Sequence, residues 1–156
     1  MSIYKAKTKD LNAILFVINE SNREKYKAII PPDYFKEPIL TTEEISELFN
    51  KMTFFMYKLN NVIVGVGALD VKDEELAEIH WVYVLPKFQN KGIGTALMNH
   101  LETEAYKKKL GILQAPTSMR AHWACNFYVK LGYRLIEERE TPEGGIALFE
   151  KRLIEK

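Results

Sequence analysis

The 156-residue sequence has one cysteine, Cys125, so the chain closes no internal disulfide and builds no multi-thiolate metal site. Such sparing use of cysteine fits a reducing compartment, and the expected location is the cytoplasm. Net charge is missing too: 22 basic residues against 21 acidic ones leave +1. No overall field then attracts nucleic acid or an anionic membrane surface, and any charged ligand has to be met by local groups. No apolar run approaches the ~20 residues of a membrane span, and the N-terminal MSIYKAKTKD lacks the apolar stretch of a signal peptide. His80, His100 and His122 are scattered without metal-ligand spacing, so no metal is expected. Repeats, low-complexity tracts and linkers are absent as well.

What remains is enough for a core. With 47% apolar residues, the chain fits one ordinary domain over residues 1–156. SIYKAK alternates as a short strand, and LNAILFVINESN follows with helical recurrence of Leu11, Ile14, Leu15 and Ile18 after a cap at Thr8 or Asp10. The stretch KYKAIIPPDYFKEPIL is irregular and aromatic, and Thr41 and Glu44 have capping-box spacing before ISELFNK. FFMYKL, VIVGVGALDV and LAEIHWVYVL read as a three-strand meander, turning at Asn60-Asn61 and at the acidic Asp73 to Glu75. Beyond Pro86, Ile93, Ala96, Leu97, Leu101 and Ala105 form a helical stripe, Lys107 to Lys109 suit its negative end, and Gly111 stops it. ILQAPTSM is a strand, AHWACNFYVKLG a short helix ended by Gly132, and YRLIEERE and IALFEKRL are strands joined through TPEGG. The predicted order is β-α-α-β-β-β-α-β-α-β-β.

The stretch QNKGIGTA, residues 89 to 96, sits where a strand turns into a helix, and free N–H groups near Gly92, Gly94 and Thr95 would point at one spot. That is an anion site, and the anion has to be chosen. A triphosphate loop needs a lysine after the second glycine, whereas Lys91 precedes both. A dinucleotide fingerprint needs a small residue where Leu97 stands, an acidic one near Gln114, and a parallel unit opening the domain. Neither pattern is met.

The longer run VLPKFQNKGIGTALM resembles the acetyl-CoA loop of the GNAT superfamily of N-acetyltransferases. The family pattern Val-x-Pro-x-x-Gln/Arg-x-x-Gly-x-Gly/Ala is filled by Val84, Pro86, Gln89, Gly92 and Gly94. A second segment, AHWACNFYVKLGYR, is similar to the family's N-x-x-A-x-x-x-Y-x-K-x-G-F/Y, with Ala124, Tyr128, Lys130, Gly132 and Tyr133 in register. It departs at Ala121, where the family usually has an asparagine that reaches the pantetheine arm; His122 or Asn126 would have to substitute. The element order agrees along the whole chain, while the motifs cover its second half.

The resemblance implies an α/β (α+β) fold with a mixed, mostly antiparallel sheet and helices on both faces. It also implies acetyl-CoA as acyl donor. Gln89, Asn90, Lys91, Gly92, Ile93, Gly94 and Thr95 would hold the pyrophosphate. Backbone groups of Val82, Tyr83 and Val84 would meet the pantetheine and the thioester carbonyl where the family's strands splay.

Acetyl transfer to an amine needs an unprotonated nucleophile and a proton for the departing thiolate. Glu78 lies as far before Gln89 as the catalytic glutamate of the family's histone acetyltransferase branch, and is the candidate base. Alternation puts Glu78, His80, Val82 and Val84 on one face of an unbulged strand, so His80 could share the site; the family's usual bulge would break that parity. Tyr128 is the candidate acid, because a phenol is protonated at neutral pH. Cys125 has no neighbouring base in its helix and reads as a packing residue. Arg23, Tyr26, Tyr34 and Phe35 fall where the family builds its acceptor wall.

The function expected is direct transfer of acetyl to a small-molecule or peptide amine. No nucleic-acid or membrane partner is expected, and a homodimer is left open. A coenzyme A-binding regulatory or interaction domain without transfer chemistry is the alternative that Ala121 keeps alive.

Overall fold

In the computed structural model, which describes residues 2–153, the chain folds around one seven-stranded sheet. Strand β1 (Ile3–Lys5) leads through a 3-10 turn at Thr8–Asp10 into helix α1 (Leu11–Tyr26). Asp10 does not cap α1 with its side chain; its carboxylate accepts the Lys7 N–H at 2.8 Å and closes the preceding turn. Helix α2 (Thr42–Lys51) starts on the predicted capping box. The Glu44 N–H donates to Thr41 Oγ1 at 3.1 Å, and the Thr41 N–H donates to the Glu44 carboxylate at 2.9 Å.

Strands β2 (Thr53–Leu59), β3 (Val62–Val71) and β4 (Leu76–Val84) form the expected antiparallel meander. Asn60 and Asn61 take φ of 51° and 65° in the first turn, values their short side chains tolerate. In the second turn the Asp73 carboxylate accepts the N–H groups of Glu75 and Leu76 at 2.8 and 2.9 Å. Helix α3 (Ile93–Lys107), strand β5 (Ile112–Ser118), helix α4 (His122–Lys130) and strands β6 (Arg134–Arg139) and β7 (Ile146–Arg152) complete the chain. The sheet order is β1-β2-β3-β4-β5-β7-β6, and every neighbouring pair is antiparallel except β4 with β5.

Helices cover both faces because their apolar stripes have opposite sheet faces to bury. Ile14, Val17 and Ile18 of α1 and Ile45 of α2 pack on Phe54, Met56, Val66 and Ala68. On the other face, Met98, Leu101 and Ala105 of α3 pack with Leu69, Ile79, Leu113 and Phe149, and Ile93 and Leu97 with Val64. The end of α3 differs from the sequence expectation. Lys109, not Gly111, adopts the left-handed conformation at φ 63°, and Leu110 N–H returns to the Ala105 carbonyl at 3.0 Å. Gly111 already hydrogen-bonds Glu75 at the entrance to β5.

Candidate active site

The site exists because two parallel strands pair only briefly. β4 and β5 are in register at Leu76, Ala77 and Glu78 against Ile112, Leu113 and Gln114, and there the pairing stops. β5 continues straight, held along its length by β7. β4 turns away through a bulge: the register with β3 runs Leu69 with Ile79 and Ala68 with His80, then Val66 with Tyr83, so β4 holds one residue more. Trp81 takes φ 58° there, a strained conformation for a tryptophan of the kind stored at functional sites. A cleft of about 530 Å³ opens in the wedge.

The bulge is of the kind that the family resemblance implied, and it breaks the alternation an unbulged β4 would keep. His80, Trp81 and Tyr83 belong to the α1 and α2 side of the sheet, whereas Val82 and Val84 pack toward α3. The extra residue inverts the alternation, so Glu78 and His80 do not share a face with Val82 and Val84.

One end of the cleft is the N-terminus of α3. Gly92 caps it at φ 80°, ψ 5°, a conformation that a side chain strains, with no atom within 4 Å of where its Cβ would stand. Gly94 is needed for space instead: a Cβ would stand 3.3 Å from the Phe127 ring. Gln89 and Ser21 both donate to the Val84 carbonyl, at 2.9 and 3.2 Å, fixing the strand end against the loop and α1. Val82, Tyr83, Val84, Gln89, Asn90, Gly92, Ile93, Gly94 and Thr95 all line the cleft; Lys91 is exposed and does not. The first N–H groups of such a helix have no intrahelical partner, and with the dipole they favour an anion. A backbone cradle kept free of side chains suits a pyrophosphate.

Tyr128 and His80 also line the cleft. Tyr128 is 7% exposed, and burial pushes its phenol well above the usual tyrosine value, with Thr117 hydrogen-bonding it in the opposite sense. The hydroxyl is therefore a proton donor at every physiological pH. His80 Nε2 lies 2.8 Å from Glu78 Oε1, and Glu78 itself is not in the cleft wall. Behind them Asp70, opposite Glu78 on β3, is almost fully buried. Asp70, Glu78 and His80 bring ligand-type atoms within 4.8 Å of one another, a grouping that chain spacing did not reveal. The Lys72 ammonium, 3.2 Å from Asp70 and 3.9 Å from Glu78, supplies positive charge there, and these two carboxylates hold Lys72 above its ordinary pKa.

The far end is aromatic and was only partly foreseen. Tyr26 lines it; Arg23, Tyr34 and Phe35 do not. Tyr26 meets Tyr83 and Trp123 edge-on, with ring centroids 6.1 and 5.5 Å apart, and its phenol is pushed up to about 12 by burial. Lys25, Trp81 and Trp123 complete this end, and sequence reasoning had not singled them out for it. Ala121 is fully buried, and neither His122 nor Asn126 lines the cleft, so neither takes over from the asparagine common at that position. Cys125 is half-buried, and burial pushes its thiol up, away from the thiolate a nucleophile needs.

This arrangement, a splayed sheet with an anion cradle at one end and a buried phenol beside the wedge, matches a known class. The family described as Acetyltransferase (GNAT) family matches residues 16–133, and the chain belongs to it. An uncharacterized N-acetyltransferase of Methanocaldococcus jannaschii is 33% identical over 104 residues, which cover 63% of this chain and 45% of that protein. An uncharacterized N-acetyltransferase of Bacillus subtilis is 32% identical over 106 residues, 67% of this chain and 71% of that one. The chain thus spans under half the length of the archaeal relative. The crystal structure of a PaiA N-acetyltransferase from Thermoplasma acidophilum with coenzyme A superposes with a TM-score of 0.78, at 22% identity, over 97% of this chain and 99% of that one. The fold is therefore the GNAT fold. No described helix is long and apolar enough to cross a membrane.

Proposed function

We propose that this protein is an N-acetyltransferase that moves the acetyl group of acetyl-CoA directly onto a primary amine. The observation that carries the reading is one continuous cleft lined by the glycine cradle of α3, by Tyr128 and His80 and by an aromatic wall. The donor is held, in this reading, by the N–H groups of the first turn of α3 and by the backbone of Val82 to Val84, which the splayed β5 leaves unpaired on one side.

His80 takes the proton of the attacking ammonium and Glu78, 2.8 Å away, orients its ring and balances the imidazolium. The glutamate thus acts through the histidine rather than on substrate. As the amine nitrogen bonds to the carbonyl carbon, backbone donors of the bulged strand meet the oxyanion. When the carbon–sulfur bond breaks, the Tyr128 hydroxyl gives its proton to the thiolate, and the second proton lost by the amine nitrogen as the amide forms returns to the phenolate. The dry pocket that raises the phenol also raises the basicity of that sulfur, so donor and acceptor stay matched. Cys125 has no part in the reaction, and no covalent enzyme intermediate forms.

The test is acetyl-CoA consumption across a library of amines, with mass spectrometry of the products. An N-acetylated product with stoichiometric release of free thiol is expected. Thioester hydrolysis alone, or binding without turnover across the library, would favour a coenzyme A-binding domain that has lost transfer chemistry.

A further inference from the structure

At the acceptor end of the cleft, Lys25 is a cation with no acidic partner among the described residues. The last turns of α1 present Arg23, Lys25 and Lys27. Arg23 is tied to Glu20, with Glu24 at 3.4 Å and Glu37 at 3.9 Å, and Lys27 lies 4.0 Å from Glu37. Those two suffice to answer the negative end of the helix. Lys25 is built differently. Among the described residues it has no carboxylate partner; it turns into the cleft with Nζ 5.2 Å from the centroid of the Trp123 ring.

The rest of that wall is aromatic. Tyr26 is locked edge-on between Tyr83 and Trp123, and Trp81 stands 6.5 Å from Tyr83. No aspartate or glutamate is among the described residues lining the cleft. Two effects then compete for a positively charged acceptor. Aromatic faces attract ammonium groups, but Lys25 already occupies the face of the partly exposed Trp123 and repels a second cation there. Every additional charge of a polycation would be desolvated without a partner, at a cost larger than one cation–π contact returns.

We infer that the acceptor is a small monoamine of amino-acid type: an apolar or aromatic body lies against Tyr26 and Trp123, and its carboxylate pairs with Lys25. Polyamines and aminoglycosides are rejected by the same wall. This rests on the acetyltransferase reading above and names the substrate class of that site. A Lys–carboxylate pair in a partly dry wall is a charge-assisted contact, and its loss is worth roughly ten-fold or more in affinity.

The experiment measures thiol release from acetyl-CoA with L-phenylalanine and phenethylamine, L-leucine and isopentylamine, and spermidine, for the wild type, Lys25→Met and Lys25→Glu. Acetyl-CoA binding is followed separately by calorimetry, and melting temperatures confirm that the variants fold. The wild type should use each amino acid with kcat/KM at least about ten-fold above its decarboxylated partner and above spermidine. Lys25→Met should erase the advantage over the decarboxylated amine, and Lys25→Glu should raise spermidine turnover. Equal use of the paired amines by the wild type, a preference for spermidine, or an unchanged ratio in Lys25→Met overturns the inference. So does acetyl-CoA binding with no thiol release from any of the five amines. Failure to bind acetyl-CoA is a different result, because it removes the acetyltransferase reading itself.

Discussion

The two ends of the cleft are built from different materials. The donor end is backbone: one strand end, one turn and the first turn of α3, consecutive in sequence from Val84 to Thr95, with glycines where a side chain would strain or collide. The acceptor end is side chains brought from α1, β4 and α4, namely Tyr26, Trp81, Tyr83, Trp123 and Lys25. Backbone amides recognise a phosphate whatever the surrounding sequence, so the donor end is common to a family. Side chains on separate elements vary one by one, and so the same fold can serve many amines.

Tyr128 lines the same cleft, and replacing it should separate chemistry from binding most sharply. Tyr128→Phe keeps the packing against Phe127 and Phe149 and removes the hydroxyl with its Thr117 hydrogen bond, so kcat should fall by roughly 10²–10⁴ with acetyl-CoA affinity retained. Calorimetry and steady-state rates on the same variant check this, and unchanged turnover would remove the role. A smaller loss, about 10²-fold in kcat, is expected for His80→Gln, and a loss several-fold milder for Glu78→Gln, which still hydrogen-bonds the ring but no longer balances its charge. If the Glu78 variant were the more damaged of the two, the glutamate rather than the histidine would meet the amine.

The smallest effect concerns stability and draws on four tyrosines, of which Tyr26, Tyr83 and Tyr128 line the cleft. Tyr26, Tyr83, Tyr128 and Tyr133 all have folded-state pKa values raised by burial. Each stays protonated in the fold after it would ionise in the unfolded chain, so its contribution is complete below the ordinary value of 10.0 and is lost as pH rises through the folded value, about 12 for Tyr26. Melting temperature should be flat to about pH 9.5 and then fall, less steeply in Tyr128→Phe. A fall of equal slope in the two proteins would contradict the buried state of that phenol.

The contrast between the ends also explains what the sequence made legible. The donor loop is contiguous and its glycines are chemically specific, so the family resemblance picked out its residues in one stretch, and all but the exposed Lys91 line the cleft. The capping box at Thr41 and Glu44 and the Asn60-Asn61 turn were equally local and stand as expected. Departures arose where tertiary structure decides. The bulge at Trp81 turns on where β5 leaves β4, which no period in LAEIHWVYV encodes, and it reversed the side-chain parity. The left-handed turn fell on Lys109 because Gly111 was already committed to β5. Asp70 was overlooked beside Glu78, although a hairpin turning at Asp73 to Glu75 pairs those two positions. Lys25 and Trp123, a hundred residues apart, carried no joint signal at all.

The donor end is where the account stands or falls, and titration of acetyl-CoA into the wild type and Gly92→Trp by calorimetry reads it. No atom lies within 4 Å of the Gly92 Cβ position, so a side chain has room to start there at the cost of the strain that φ 80° imposes, and a large ring beside the first N–H groups of α3 obstructs the cradle. Stoichiometric binding by the wild type and at least about 100-fold weaker binding by a folded variant are predicted. Equal binding by the two proteins, or none by the wild type, would contradict a pyrophosphate cradle at the start of α3.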